Sequence, residues 1–319
     1  APFIVKTRKP VDIVVVYPSN TVNAYSTSGG KSLYTTGVDK AGIVSFLRPT
    51  SIQDNAVYGL KWFSSLPGYE VGFISDGDLD DYKSISNAKI IAIVGHSEYW
   101  TRYARVNFDQ FIDRGGHGLV LSGNTMWWQV RYTKNNQLIR YHELAEDPEE
   151  DALLKTTNWS EPSLQYSILS SIGADFPRGG YGLEKDNGWN GFKITTSLSP
   201  LLEGTGLKKG DIIDLPSGEY DGAPIKTWSA DGYPIPNNDE LNFNKIEILG
   251  YDRGSRFSKE TIGTFIVFKR TETSGIILNG ASYDWCSASG MGGKNGTILK
   301  KITQNAIEKL LNGKPVFSN

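Results

Sequence analysis

The sequence predicts an α/β fold of the flavodoxin type, in which a mostly parallel sheet is flanked by helices. Two apolar runs, at 11–17 (interrupted only by Asp12) and 90–94, are typical of strands buried on both faces. Strand and helix patterns alternate from residue 11 to residue 125, as they do in doubly wound sheets. The second apolar run is followed closely by His96 and Glu98. Because such sheets bind ligands beyond the carboxyl ends of their strands, this is where we expect the chemistry.

The remaining elements follow in a regular order. A long polar loop through Tyr25 and Tyr34 comes after the first strand, and loops of this length usually have a function. A helix is predicted to begin at Asp54 and to end before Pro67-Gly68, and a strand at 69–75 follows it. The later elements are a helix capped by Thr101 and ended by Gly115-Gly116, strands at 117–122, 245–249, 263–268 and 275–278, and a closing helix with Leu299, Ile302, Ala306 and Leu310 on one face.

The chain is predicted to be a single domain, 1–319, which is long enough to bury a sizeable core. Within it, 11–145 and 245–315 are predicted to form the α/β core. Residues 175–242 are rich in Gly, Pro, Asn and Asp and contain only short apolar pieces. We therefore interpret this segment as a loop-rich β insertion.

Composition excludes several classes of partner and site. The net charge of −2 gives no reason to expect binding to nucleic acid or an anionic membrane, and no apolar run approaches the ~20 residues of a membrane helix. The single cysteine, Cys286, rules out an internal disulfide framework and a cysteine-rich zinc site. Glycosylation sequons at Asn158 and Asn295 favour a secreted protein. Homo-oligomerisation stays open.

Four short motifs carry side chains suited to chemistry. His96 can move protons near neutral pH, and the neighbouring Glu98 can bind a metal or orient the imidazole. The alternative is a histidine satisfied by the backbone and a glutamate in water. Asn124 follows the next strand, where its amide would reach the same crevice. Glu219 and Asp221 lie in a glycine-flanked motif that is either a site or an exposed turn. Cys286 is either a nucleophile or a small buried residue.

Several separated motifs together resemble the C-terminal domain of the N,N-dimethylformamidase large (beta) subunit. The resemblance extends over nearly the whole chain. Its motifs are FLRP at 46–49, GHSEYW at 95–100, SGNTMWWQVR at 122–131, EDP at 146–148, TTNW at 156–159, LLEGTGLKKGD at 201–211, GEYDG at 218–222 and NGASYDWC at 279–286.

This resemblance implies a fold related to class I glutamine amidotransferases. It also implies an amide hydrolase with a mononuclear iron held by two tyrosines and a glutamate. Glu98 matches the glutamate ligand, His96 matches the histidine beside it, and Tyr25 is the candidate for one tyrosine ligand. Glu219 matches a further active-site glutamate. Asn124 stands where the enzyme carries an acidic residue.

The chain departs from the family pattern at the second tyrosine ligand. That ligand is expected shortly before the Arg48-Pro49 pair, where Ile43 and Val44 are apolar. Tyr17 and Tyr34 are the alternatives, and neither aligns with the expected position.

Three functions follow as hypotheses. The first is a metal-assisted hydrolase of amide or related C–N bonds that acts on a small molecule. In it Tyr25 and Glu98 hold iron, His96 acts as general base and then acid, and His96, Glu98, Asn124 and Glu219 are the catalytic residues. The second is a secreted carbohydrate-binding protein; Tyr34, Trp127 and Trp128 are the predicted substrate-binding aromatics. The third is a glycoside-processing enzyme that uses Glu98 and Glu219 as paired carboxylates.

Overall fold

The computed structural model describes residues 3–6, 9–34, 38–182 and 188–318. The strands in chain order are β1 (Ile13–Tyr17), β2 (Lys31–Ser32), β3 (Asp39–Lys40), β4 (Ile43–Ser45), β5 (Val71–Ser75), β6 (Ile90–Gly95), β7 (Tyr99–Thr101), β8 (His117–Ser122), β9 (Trp128–Tyr132), β10 (Gln137–Ile139), β11 (Gly180–Tyr181), β12 (Gly191–Ile194), β13 (Ile212–Asp214), β14 (Glu219–Gly222), β15 (Ile225–Trp228), β16 (Pro234–Pro236), β17 (Lys245–Arg256), β18 (Lys259–Lys269) and β19 (Ile276–Asn279). The α-helices are α1 (Ser19–Tyr25), α2 (Asp54–Ser64), α3 (Arg102–Asp113), α4 (Ile168–Ile172), α5 (Phe176–Gly179), α6 (Asn238–Leu241) and α7 (Gly296–Leu311).

The predicted flavodoxin-like, mostly parallel sheet is wrong. Within the described residues the main sheet has 11 strands and is mixed, with the order β13-β12-β17-β18-β19-β8-β6-β1-β5, and β11 joins β14 to the edge of β17. The pairs from β19 through β8, β6 and β1 to β5 are parallel. All pairs on the other side of β19 are antiparallel, including the long β17–β18 hairpin.

The prediction is wrong because the sequence patterns of the antiparallel strands do not reveal their pairing. A fully buried strand gives the same apolar run whether its neighbours are parallel or antiparallel, so β19 did not reveal its antiparallel partner β18. Strands β11 to β14 are two to four residues long and are interrupted by glycine and proline, which hides their alternation. They nevertheless extend the same sheet.

The sheet separates two apolar cores. Alternate residues of β1 enter opposite sides: Val15 packs in the core that α2 and α7 cover, whereas Val14 packs in the core that α3 covers. Side chains alternate between the two faces of a strand, so both faces of β1 must be apolar. This accounts for the continuous apolar run. Helix α3 begins at the predicted cap, since the Thr101 side chain accepts a hydrogen bond from the Ala104 amide.

A smaller four-stranded sheet, in the order β4-β10-β9-β7, lies beside the main one. Its core includes Tyr99 and Leu138, and Tyr25 packs against it. The loop expected after β1 begins with helix α1, which ends at Tyr25. Among the described helices, none combines the length and apolarity that a bilayer span requires.

Candidate active site

The position of His96 is fixed by the end of β6 and by one glutamine. Gly95 has φ +76, and a Cβ there would lie 2.9 Å from the Ala56 Cβ, so glycine is required. The Gln53 side chain then holds both backbone groups of His96. Its Oε1 accepts from the His96 amide at 2.7 Å, and its Nε2 donates to the His96 carbonyl at 3.0 Å. The backbone of His96 is thus clamped where the chain leaves the sheet.

The imidazole of His96 lies between two carboxylates. Its Nε2 is 3.0 Å from Glu219 Oε2 and 3.5 Å from Glu98 Oε2. His96 Nε2 and Glu219 Oε2 are both buried, and neither has an aligned hydrogen bond to a described residue. Burial disfavours the imidazolium, but the charges of Glu219, Glu98 and Asp221 outweigh it and raise the pKa of His96 to about 9.

Glu98 is anchored by three neighbours. Its backbone amide donates to Thr21 Oγ1 at 2.9 Å. Its Oε2 accepts from the Tyr25 hydroxyl at 2.8 Å, and its Oε1 accepts from Asn124 Nδ2 at 3.3 Å. The side chain is 3% exposed, and this burial is the main reason that the pKa of Glu98 rises to about 7. Burial and the Glu98 charge likewise raise the pKa of Tyr25, which keeps the phenol protonated.

Asn124 occupies a strained turn after β8. Its φ is +49 and that of Met126 is +58, in the left-handed region that asparagine tolerates better than most residues. The preceding Gly123 packs directly on backbone: a Cβ there would be 2.5 Å from the Tyr283 amide nitrogen and 2.6 Å from the Glu219 carbonyl oxygen. Strain of this kind persists where the surrounding structure over-determines it, often at functional sites.

Strand β14 brings two carboxylates to the cluster from the antiparallel half of the sheet. Glu219 reaches His96, and its side chain is 16% exposed. Asp221 is fully buried, and its Oδ2 accepts from the Thr125 amide at 3.2 Å. Burial raises the pKa of Asp221 to about 7. Asp221 therefore ties the Asn124 turn to β14.

A cavity of about 720 Å³ opens beside the cluster, and Tyr25 and His96 form part of its wall. The rest of the wall comes from the end of α1, the turn after it and the segment that leads into α2. Its volume is that of an ordinary small-molecule site. The cluster is thus accessible to a ligand.

The structure brings together five of the predicted site residues: Tyr25, His96, Glu98, Asn124 and Glu219. An imidazole therefore lies between the two carboxylates that the glycoside hypothesis pairs. His96 and Glu98 both follow β6, whereas Tyr25 ends α1, Asn124 follows β8 and Glu219 lies in β14, so sequence spacing connects only the first two.

Two of the three predicted aromatic binding residues contact members of the cluster: Tyr34 packs on Tyr25, and the Trp128 amide donates to the Glu98 carbonyl at 2.9 Å. The Tyr34 ring, 42% exposed, packs on the Tyr25 ring at 4.7 Å. Trp128 lies under the Arg140 guanidinium at 3.5 Å, and Trp127 packs edge-on to Trp128 at 5.7 Å. Neither tryptophan is among the described residues that line the cavity.

The implied iron site can be tested against these positions. Tyr25 and Glu98 supply adjacent phenol and carboxylate oxygens, and the Nε2 of His96 is buried nearby without an aligned hydrogen bond. Phenolate, carboxylate and imidazole suit iron and similar ions. Among the described residues, no group of three or more His, Cys, Asp or Glu side chains is arranged to hold a metal. A metal here would therefore need Tyr25.

Among the described residues, no tyrosine occupies the position expected for the second ligand. Ile43 and Val44 form strand β4, and the Tyr17 hydroxyl is occupied by the backbone of Ser51 and Gln53. Tyr34 is the tyrosine packed on Tyr25. The tyrosine–glutamate pair of the implied site thus fits, and the second phenol is not assigned.

Sequence reasoning missed Gln53, Thr21 and the role of Asp221. Gln53 immediately precedes α2 and Thr21 lies in the short helix α1, and no sequence periodicity marks either as a residue that holds a backbone group. Asp221 lies in the glycine-flanked motif, whose sequence favours an exposed turn over a site. Cys286, by contrast, is fully buried, and burial raises the pKa of its thiol to about 12, which favours the packing interpretation.

A comparison with protein families agrees with the motif resemblance. A family model described as N,N-dimethylformamidase beta subunit-like, C-terminal, matches residues 1–295. No curated protein matches the chain. Among solved structures, the chain is similar to a ThuA-like protein from Bacteroides uniformis ATCC 8492, with 12% sequence identity, a TM-score of 0.44, and coverage of 98% of this chain and 96% of that chain.

Proposed function

The chain belongs to the N,N-dimethylformamidase beta subunit-like C-terminal family, and on this premise we propose that it hydrolyses amide or related C–N bonds of a small molecule. The observation that carries the proposal is the position of His96 Nε2, within 3.5 Å of two carboxylate oxygens at the wall of a cavity.

The proposed reaction needs a proton to move from water to nitrogen. The water oxygen bonds to the carbonyl carbon, the C–N bond breaks, and a proton reaches the leaving nitrogen. His96 and Glu219, 3.0 Å apart, are the pair that moves this proton. Asn124 holds the Glu98 carboxylate through its amide and stands at the same edge of the sheet. The imidazole of His96 lies between the carboxylates of Glu98 and Glu219. This position favours amide hydrolysis over glycoside hydrolysis, in which the scissile glycosidic bond would lie between the two carboxylates.

Iron is part of the proposal through Tyr25 and Glu98. When bound, a metal of this kind polarises the carbonyl group and lowers the pKa of its water. The support is the 2.8 Å approach of the Tyr25 hydroxyl to Glu98 Oε2, which places two ligand oxygens side by side. Secretion, oligomeric state and the lack of nucleic-acid or membrane partners stay predictions.

The test compares His96→Ala with the wild type on a panel of simple secondary amides, with release of free amine as the readout. We expect His96→Ala to lose about 10²–10⁴-fold in kcat/KM while its thermal midpoint stays near the wild-type value. The matched control is His117→Gln, because His117 begins β8 at the opposite end of that strand from Asn124 and accepts from the Ile276 amide through Nδ1, as glutamine can through Oε1.

Elemental analysis of the same preparations tests the metal separately. Tyr25→Phe and Glu98→Gln are expected to lower the bound metal, whereas His117→Gln retains it. Equal turnover in the wild type and His96→Ala would refute the role of His96. Equal metal content in wild type and Tyr25→Phe would refute the metal assignment.

A further inference from the structure

We infer that the substrate is a hydroxyl-rich amide, specifically an N-acylated amino sugar, bound in the cavity beside His96. The inference deepens the proposed function and rests on it. Its first basis is size. A cavity of about 720 Å³ lies in the range that accepts a drug-sized ligand, far beyond what a small dialkyl amide fills.

The second basis is the chemistry of the wall. Ligand cavities are usually lined mainly by apolar and aromatic side chains. Among the described residues that line this cavity, the apolar side chains are Val22, Pro49 and Ile52, and the others carry a hydroxyl, amide, carboxylate or imidazole group. Such a wall offers a ligand both hydrogen-bonding groups and apolar surface.

Some of these polar groups are free to bind. The side chains of Thr27, Thr50 and Asp54 line the cavity; Thr27 and Asp54 are exposed, Thr50 is half-buried, and none of the three makes a side-chain hydrogen bond to another described residue. A carboxylate such as Asp54 can accept hydrogen bonds from two neighbouring hydroxyl groups, and a threonine hydroxyl can both donate and accept. This pattern matches the vicinal hydroxyls of a pyranose ring.

The position of the reactive group is also consistent. Tyr25, His96, Thr50 and Asp54 all line this one cavity. An acylated amino sugar carries its amide at one edge and its hydroxyls at the others. The acyl group can therefore face His96 while the ring hydroxyls meet the free side chains. Hydrolysis would release the free amino sugar and a carboxylate.

The experiment compares N-acetylglucosamine, N-acetylgalactosamine and N-acetylmannosamine with N-methylacetamide, which has the same acyl group and no hydroxyls. Free primary amine is measured with the protein as purified. We expect kcat/KM for at least one sugar amide to exceed that for N-methylacetamide by about tenfold or more. Thr50→Val and Asp54→Asn are each expected to lower this ratio about five- to tenfold, as loss of one hydrogen bond does. Thr227→Val, on exposed β15 away from the cavity, is the matched control.

The deciding quantity is the ratio of kcat/KM for a sugar amide to kcat/KM for N-methylacetamide. A ratio of one or less for all three sugars, or a ratio that is unchanged in Thr50→Val and Asp54→Asn, would overturn the inference while leaving the hydrolase proposal in place. If no amide is hydrolysed, ligand-observed NMR tests whether N-acetylglucosamine binds to the cavity. Binding that weakens in both variants supports the cavity assignment although the hydrolase proposal fails. No binding refutes the cavity assignment as well.

Discussion

The clamp of Gln53 on His96 gives a prediction whose size follows from the structure. Gln53→Ala removes two hydrogen bonds, the 2.7 Å bond from the His96 amide and the 3.0 Å bond to the His96 carbonyl. Each such bond contributes about 0.5–1.5 kcal/mol net, so the variant should lose about 1–3 kcal/mol of unfolding free energy. Gln53 precedes α2, but its side chain does not cap that helix, so helix capping adds nothing.

The same change should lower activity more than stability. The clamp fixes the backbone from which the imidazole projects between Glu98 and Glu219. Displacement of a catalytic group by about 1 Å can cost roughly 10²-fold in rate. We therefore expect kcat/KM to fall about 10–100-fold. Gln53→Glu keeps the acceptor and loses the donor, so its loss of stability should be about half that of Gln53→Ala.

Urea unfolding and amide turnover measure the two effects. The control is Gln110→Ala, since the half-buried Gln110 side chain on α3 is hydrogen-bonded to no described residue. If Gln53→Ala unfolds within about 0.5 kcal/mol of the wild type, the two hydrogen bonds do not contribute as argued. If it is destabilised but fully active, the clamp does not position His96.

Three further predictions concern the sheet and its edge. Burial raises the pKa of the Asp76 carboxyl to about 8 from 3.8. The protonated carboxyl therefore contributes fully to stability below about pH 4, and this contribution is lost as the pH rises through 8. The wild type should lose stability relative to Asp76→Asn between pH 5 and 9, and a stability difference that is independent of pH would contradict this. Gly123→Ala should cost about 1–3 kcal/mol in urea unfolding, because its Cβ meets the backbone of Tyr283 and Glu219; unchanged stability would mean that the turn has room. Glu219→Gln should lower the pKa of His96 from about 9, since it removes a facing negative charge, and an unshifted imidazole titration by NMR would argue against the contact.

Much of the parallel half of the sheet could be predicted from sequence. The strands at 90–95 and 117–122 and the helix that begins after Thr101 lie where the apolar patterns predict them. Burial on both faces and a capping residue are local signals, so the chain itself carries them. The helix α1 was not predicted, because Ser19–Tyr25 has no apolar stripe of helical spacing and only seven residues.

The site was only partly predictable for a related reason. His96 and Glu98 could be found because they follow a buried strand. Their contact with Glu219 depends on pairing between residues more than 100 positions apart, which no local pattern encodes. Gln53 could not be found at all, because its role depends on two backbone atoms of His96 rather than on its own neighbours.

The antiparallel half of the sheet makes the fold prediction wrong, and it also supplies part of the site. Had the sheet been mostly parallel with a separate insertion, Glu219 and Asp221 would have no fixed position relative to β6 and β8. Because β14 pairs with β11, and β11 with β17, the antiparallel half of one continuous sheet carries them. Gly123 then allows the turn after β8 to pack directly against β14 and Tyr283. The parallel half thus supplies His96, Glu98 and Asn124, and the antiparallel half supplies the carboxylate that faces the imidazole. A substitution that loosens the packing between the turn after β8 and strand β14 should therefore impair turnover before it unfolds either half of the sheet.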